Sequence, residues 1–168
     1  MMSTRAVHEL HKAGIDHVLH PYAVDESVGD GYGEAVAAAI GIDPARVFKT
    51  LLAKVDADYV VAIVPVMERL SMKKLASAAG GRKADMAATG DAERITGYVS
   101  GGISPLGQRR RLRTFLDKSA GEYQQICVSA GKRGLQVELP VMALVELVGG
   151  EMADLIEMSS VLPGQSTR

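Results

Sequence analysis

The sequence contains no tryptophan, two phenylalanines and one cysteine among its 168 residues. With aromatics at 4%, the core has to be built from Val, Ile, Leu, Ala and Met. The lone Cys127 has no second cysteine to pair with inside the chain, which fits a reducing compartment. Long apolar runs are missing too. The longest, Val60 to Met67, falls far short of the roughly 20 residues a membrane helix needs. The opening MMSTRAVHELHK carries charges where a signal peptide would be apolar. Neither sign of charge dominates: 19 basic and 20 acidic groups leave a net −1, so the total does not indicate a strongly basic nucleic-acid binder. Gly and Pro, at 18 and 6, are too few for a collagen or a low-complexity chain.

What is present is the composition of a folded globular protein, 47% apolar and 23% charged. The expectation is one cytosolic domain over residues 1–157. Residues 158–168, small, polar and turn-forming, are expected to form a flexible tail. Charge is uneven along the chain: residues 46–118 carry a net +7, between −5 for 1–45 and −3 for 119–168. A basic middle of this kind is either a solvated Lys/Arg surface or one positive face toward phosphate.

Local signals predict a helix from a Ser3 or Thr4 cap to Ala13, closed by Gly14. A strand follows over His17–Val24, confined to a sheet edge by Pro21. A glycine-rich loop, Gly29 to Gly33, precedes a helix over Glu34–Ile40, and Asp43-Pro44 opens a short turn. Val47–Val55 and Asp58–Val66 form a hairpin about Asp56-Ala57, the second strand apolar on both faces and so central. Ser71 caps a helix to Ala79, Lys83–Ala87 is a short strand, and Asp91 starts a helix that Gly97 stops. A loop over Ser100–Gly107 leads to strands at Leu112–Leu116, Gln125–Val128 and Leu135–Leu139, and Pro140 opens a last helix over Val141–Val148. Strands in clusters between helices, not in βαβ alternation, indicate an α+β (mixed α/β) fold with a mixed sheet.

Few segments carry chemistry. Gly102 to Gly107 has the glycine spacing of a phosphate loop but continues with Gln108 and Arg109 where Lys and a hydroxyl are required, which argues against nucleotide hydrolysis. The four histidines, His8, His11, His17 and His20, do not converge: His17 and His20 point to opposite faces of one strand. Cys127 has no Cys or His at ligand spacing and reads as core filler. No metal and no cofactor are expected. Lys49 stands out, because it shares its strand parity with Val47, Leu51, Ala53 and Val55. A lysine on such a face is either snorkelling at an edge or facing a cavity where it binds an anion or polarises a carbonyl. Thr50 points to the opposite face. Gly101-Gly102 offers unshielded backbone N–H groups for a developing oxyanion, or is a plain turn. Ser129 to Gly134 combines a hydroxyl with two cations.

Four segments in register carry a resemblance: Val47-Phe-Lys-Thr-Leu51, Thr96-Gly-Tyr98, Gly101-Gly-Ile-Ser-Pro-Leu-Gly-Gln108 and Val128-Ser-Ala-Gly-Lys-Arg-Gly-Leu135. Together they resemble the YbaK/EbsC family of aminoacyl-tRNA deacylases, related to the editing insertion of prolyl-tRNA synthetase. The resemblance implies a mixed α/β domain around a central barrel-like sheet surrounded by helices. It implies trans-editing of Cys-tRNA(Pro), and possible action on Cys-tRNA(Cys), by attack of the substrate's own thiol on its ester, with Ala-tRNA(Pro) deacylation or non-catalytic binding as alternatives. It makes Lys49, Gly101 and Gly102 the catalytic set, and Tyr22, Tyr32, Thr50, Ser129 and Gln136 the substrate pocket. Tyr32 stands where relatives commonly carry Phe, and Gln136 where they often carry Asp. Arg109, Arg110, Arg111, Lys132 and Arg133 are candidate tRNA contacts. The small number of clustered cations implies weak tRNA binding alone and help from prolyl-tRNA synthetase.

Overall fold

The computed structural model describes residues 3–23 and 32–158. Helix α1 (Arg5–Ala13) starts where Thr4 Oγ1 accepts a hydrogen bond from Val7 N at 3.1 Å, and it buries Ala6, Val7 and Leu10 along one stripe. Strand β1 (Val18–Pro21) is shorter than the expected His17–Val24 and lies at a sheet edge, where Pro21 costs no ladder bond. Of the expected glycine-rich loop, residues 29–31 lie outside the described part. Tyr32 and Gly33 open helix α2 (Tyr32–Ile40), and a single 3₁₀ turn (Pro44–Arg46) follows.

Strands β2 (Phe48–Val55) and β3 (Asp58–Pro65) form the expected hairpin, in register from Phe48–Pro65 to Val55–Asp58. At its tip Asp56 has φ +54°, in the left-handed region. Its carboxylate accepts from Arg82 N and Lys83 N at 3.0–3.1 Å, which holds the turn and docks the segment leading to strand β4 (Ala84–Met86). Between them, helix α3 (Met72–Ala79) is capped by Ser71, whose hydroxyl accepts from Lys74 N. Helix α4 (Thr89–Thr96) starts two residues before the expected Asp91, with no side-chain cap, and Gly97 ends it.

Strand β5 (Thr114–Asp117) is shifted from the expected Leu112–Leu116. Strand β6 (Gln125–Lys132) runs past the expected end at Val128, because its second half, Ser-Ala-Gly-Lys, continues through a bulge that hydropathy does not reveal. Strand β7 (Leu135–Pro140) and helix α5 (Val141–Val148) fall where expected. Strand β8 (Glu151–Ala153) has three residues and no apolar pattern, and the sequence reading had no strand there.

The strands form two sheets, β1-β7-β6 and β4-β2-β3-β5-β8, with β3–β5 and β5–β8 parallel. The expected barrel-like sheet is therefore split: among the described residues the two sheets meet at a parallel bridge between Val47 and Cys127. Strand β3 is central and buried from Val60 to Pro65, as its two apolar faces require. Alternation along β2 and β3 divides the core. Phe48, Leu52, Val61 and Ile63 face one cluster; Ala53, Val55, Val60, Ala62 and Val64 face another against α3. No helix among the described residues is long and apolar enough to cross a membrane.

Ile63 is fully buried in the first cluster, whereas Met142 on α5 is 74% exposed. Ile63→Ala is expected to lower unfolding free energy by about 2–5 kcal/mol, and Met142→Ala to change it by about 0.5 kcal/mol or less. Denaturant titration of both variants checks this; equal effects would misplace the core.

Candidate active site

Strand β2 has two partners on the edge away from β3. Val47, just before it, bridges to Cys127, and Ala53 to Val55 pair with β4. Between these points no strand pairs that edge among the described residues, and a cavity of about 340 Å³ opens there. Because it lies along a strand edge, side chains from both faces of β2 reach it. Lys49 and Thr50, which point to opposite faces of the strand, both line it, as the resemblance implied. Helix α2 contributes Tyr32 and Val36 to one wall, Met86, Ala87, Thr89 and Ala92 supply another, and Ser129 and Gln136 face it from β6 and β7.

Lys49 is the one charged residue among the described lining residues, and no His, Cys, Asp or Glu joins it. Burial holds its ammonium below the ordinary lysine value; Arg69 pushes in the same direction and Glu68 opposes. Tyr22 does not line the cavity. It reaches the wall through Tyr32, with the two hydroxyls 3.0 Å apart. Burial, then the bond to Tyr22, raises the Tyr32 phenol far above its ordinary range, so the Tyr32 hydroxyl stays protonated. Ser129 Oγ accepts from Gly131 N at 3.2 Å, leaving its own O–H to donate. Thr50 Oγ1 and Gln136 Oε1, on residues more than nine-tenths buried, have no hydrogen-bond partner. Each such orphan costs on the order of 1–3 kcal/mol.

The loop before strand β5 supplies Ser100, Gly101 and Ile103 to the mouth. Glu93 accepts from Ser100 N at 2.7 Å, and Arg133 Nε donates to Ser100 O at 3.1 Å. The Arg133 guanidinium also lies 5.7 Å from the Tyr32 ring centroid, so it bridges the loop and α2 across the rim. Gly102 faces away from the cavity: a Cβ there would lie 2.8 Å from the Lys132–Arg133 backbone. The bulge in β6 at Ser129–Lys132 brings that backbone against the loop.

Other motif residues are scaffold. Thr96 Oγ1 donates to Ala92 O and accepts from Tyr98 N, and the Tyr98 hydroxyl donates to Leu106 O. Burial pushes the Tyr98 phenol up to about 12. Gln108 Nε2 donates to Ser104 O, and Ser104 Oγ accepts from Leu106 N. These bonds lock Thr96–Tyr98 to Gly101–Gln108 and fix the loop. Of the candidate tRNA contacts, Arg133 is at the mouth with Lys132 beside it. Arg109, Arg110 and Arg111 do not line the cavity; Arg110 and Arg111 flank a separate small cleft with Glu9.

Cys127 is fully buried, and although it has no Cys or His at ligand spacing in the sequence, the fold brings a histidine to it. Its thiol, His20 and Glu138 present ligand-capable atoms within 4.8 Å of one another, brought together by pairing of β1, β7 and β6. Sequence spacing hid this, because the three residues lie on three strands. Glu138 is already engaged by His20 at 2.9 Å and by Arg46 at 2.6 Å. Those bonds hold its carboxyl below the usual range, His20 contributing most. Burial, reinforced by Glu138, pushes the Cys127 thiol up to about 12. This grouping is a buried ion-pair network around a protonated thiol, beside the cavity but outside its lining.

Residues 30–147 match the family described as the aminoacyl-tRNA editing domain. The chain belongs to that family. An Enterococcus faecalis protein, EbsC, provisionally named a Cys-tRNA(Pro)/Cys-tRNA(Cys) deacylase, is 42% identical over 123 residues, which cover 73% of this chain and 75% of that one. The proline–tRNA ligase of Desulforamulus reducens is 29% identical over 97 residues, 56% of this chain and 17% of the ligase. Among solved structures, a protein described as a trans-editing enzyme for prolyl-tRNA synthetase superposes with a TM-score of 0.77 at 22% identity, covering 93% of this chain and 99% of that one. A hypothetical protein superposes at 0.81 with 19% identity, covering 92% and 100%. Those two likenesses establish the α+β editing fold.

The two loop glycines should behave differently. Gly102 has backbone in the way of a Cβ, whereas at Gly101 the obstacle at 2.5 Å is the movable Arg133 side chain, together with a φ of +87°. Gly101→Ala is expected to lose about 1–2 kcal/mol from left-handed strain. Gly102→Ala is expected to lose more. Thermal unfolding decides the order, and a reversed order would contradict the loop packing.

Proposed function

We propose that this protein is a trans-editing deacylase that hydrolyses Cys-tRNA(Pro), and Cys-tRNA(Cys) as well, by letting the bound cysteine attack its own ester. The observation that carries the reading is the lining of the cavity. Among the described residues it holds one lysine, hydroxyls and an amide, with no histidine, cysteine or carboxylate to activate water or serine. A lining whose described residues include no general base suits a substrate that brings its own nucleophile. The family membership and the EbsC likeness support the same substrate.

In this mechanism the cysteinyl thiol sulfur bonds to the carbonyl carbon, and the ester C–O bond breaks. The thiol proton passes to the departing ribose oxygen, and water then opens the released thiolactone to free cysteine. The protein supplies orientation and charge stabilisation, which together remove several kcal/mol from a barrier. Lys49 and the Gly101 backbone face the developing oxyanion, and Tyr32 and Ser129 position the acyl end. Arg133 and Lys132 at the mouth meet the phosphates of the acceptor end. So small a cation set gives little affinity for the tRNA body, which leaves tRNA choice to prolyl-tRNA synthetase as partner.

Lys49→Ala is expected to abolish deacylation of Cys-tRNA(Pro) with the fold retained, and Lys49→Arg to rescue poorly, because a planar guanidinium does not replace a compact ammonium. Retained turnover in Lys49→Ala would remove Lys49 from the reaction. Single-turnover deacylation of the cysteinyl and seryl esters separates the mechanisms. A thiol ionises near pH 8.5, whereas an alcohol does not in this range, so the serine ester should be cleaved far more slowly. Equal rates would instead indicate attack by water. Deacylation should rise with pH as the thiol ionises and fall once Lys49 loses its proton. Because the Lys49 pKa is lowered, that fall begins below the ordinary lysine value.

A further inference from the structure

Two buried polar atoms in the cavity have no use within the free protein. Gln136 Oε1 accepts only, and Thr50 Oγ1 both accepts and donates; neither has a partner, and their residues are 7% and 9% exposed. Gln136 stands opposite Ser129 in the β6–β7 ladder and Thr50 opposite Ile63 in the β2–β3 ladder, so the two orphans come from different sheets and converge on one cavity. A ligand that fills the cavity and reaches these atoms with a donor supplies the hydrogen bonds they lack.

Among the groups at an aminoacyl end, the ester carbonyl only accepts. A group that meets an acceptor-only oxygen has to donate. The α-amino group is the richest donor there, with two N–H bonds as an amine and three as an ammonium. The described lining carries no carboxylate and already contains the Lys49 cation. Neutral oxygens hold the amino group in either protonation state and do not form an ion pair with Lys49. Acylation of that nitrogen leaves one N–H and adds a bulky group where both oxygens are already buried.

Resting on the deacylase reading, we propose that Gln136 Oε1 and Thr50 Oγ1 form the subsite for the substrate's free α-amino group, so that the enzyme accepts aminoacyl ends and rejects N-acylated ones such as formylaminoacyl-tRNA and peptidyl-tRNA.

The test uses three esters of tRNA(Pro) that share a thiol and a carbonyl: cysteinyl, N-acetylcysteinyl and 3-mercaptopropionyl. The parent protein should prefer the cysteinyl ester over each of the others by about tenfold or more in kcat/KM, the loss expected for unpaired buried acceptors. Gln136→Met and Thr50→Val should collapse the cysteinyl to 3-mercaptopropionyl ratio toward one, whereas Gln136→Glu should keep it. Thermal midpoints equal to or above the parent's are expected for Gln136→Met and Thr50→Val, since each removes an orphan. If one variant fails to fold, the other decides. A variant that slows both esters equally, or a parent that cleaves the N-acetyl ester as fast as the cysteinyl one, overturns the subsite.

Binding separates this from the deacylase reading. Calorimetry with 3′-cysteinylamino-3′-deoxyadenosine and its 3-mercaptopropionyl counterpart needs no turnover. Preference for the amino form by a protein that cleaves no ester would sustain the subsite and remove the deacylase. Equal binding, or none, would remove the subsite.

Discussion

The site depends on a gap in strand pairing. Strand β2 is held along its whole length by β3, but among the described residues its other edge is joined to β6 at Val47 and to β4 from Ala53 onward, with Ala87 N just past β4 donating to Leu52 O. Had β4 or β6 continued along that edge, residues 48–51 would be an ordinary central-strand segment and no cavity would exist. The full ladder to β3 makes such a gap tolerable, because the segment stays fixed without its second neighbour. Rigid backbone beside an open edge lets Lys49 and Thr50 be presented with little conformational freedom.

Several motif residues support this gap and do not enter it. Thr96, Tyr98, Ser104 and Gln108 are tied to one another and to the backbone, and this fixes where Ser100 and Gly101 stand. Gly102 allows the Lys132–Arg133 backbone to come close. Arg133 then joins the loop to Tyr32. A loop carried on three separate elements is positioned by packing, and two of its N–H groups are taken within the protein, Ser100 N by Glu93 and Gly102 N by Val99 O.

Much of this was legible locally. Helix caps at Thr4 and Ser71, the Asp56-Ala57 turn and the doubly apolar β3 are nearest-neighbour effects, and each fell where the residues put it. Lys49 was conspicuous because one charge on an apolar face breaks a period-two pattern. What escaped depends on distant pairing. The continuation of β6 through its bulge and the three-residue β8 are set by partner strands and leave no hydropathy trace. The meeting of His20, Cys127 and Glu138 needs three strands in register, and local parity could not show how Lys49 and Thr50 share one cavity, which the resemblance alone implied and the unpaired edge explains. The role of Tyr22 changed for the same reason, because its hydroxyl ends on Tyr32 and not on the cavity.

The electrostatics of the cavity narrow the chemistry further. Among the described lining residues a half-buried lysine has no carboxylate beside it, so in the proposed reaction negative charge that develops next to its ammonium is stabilised. Negative charge that builds on an ester oxygen during attack is therefore favoured over the neutral ground state, the difference on which rate acceleration depends. In that proposed reaction the same cation would favour the ionised form of a substrate thiol, whereas an alcohol's ionisation lies far out of reach. The Cys127 thiol, by contrast, lies outside the lining, where burial, reinforced by Glu138, keeps it protonated. In the proposed reaction the two sulfurs therefore meet different surroundings: the chain's own is held as a thiol by burial and a nearby carboxylate, whereas the substrate's would enter beside the Lys49 cation.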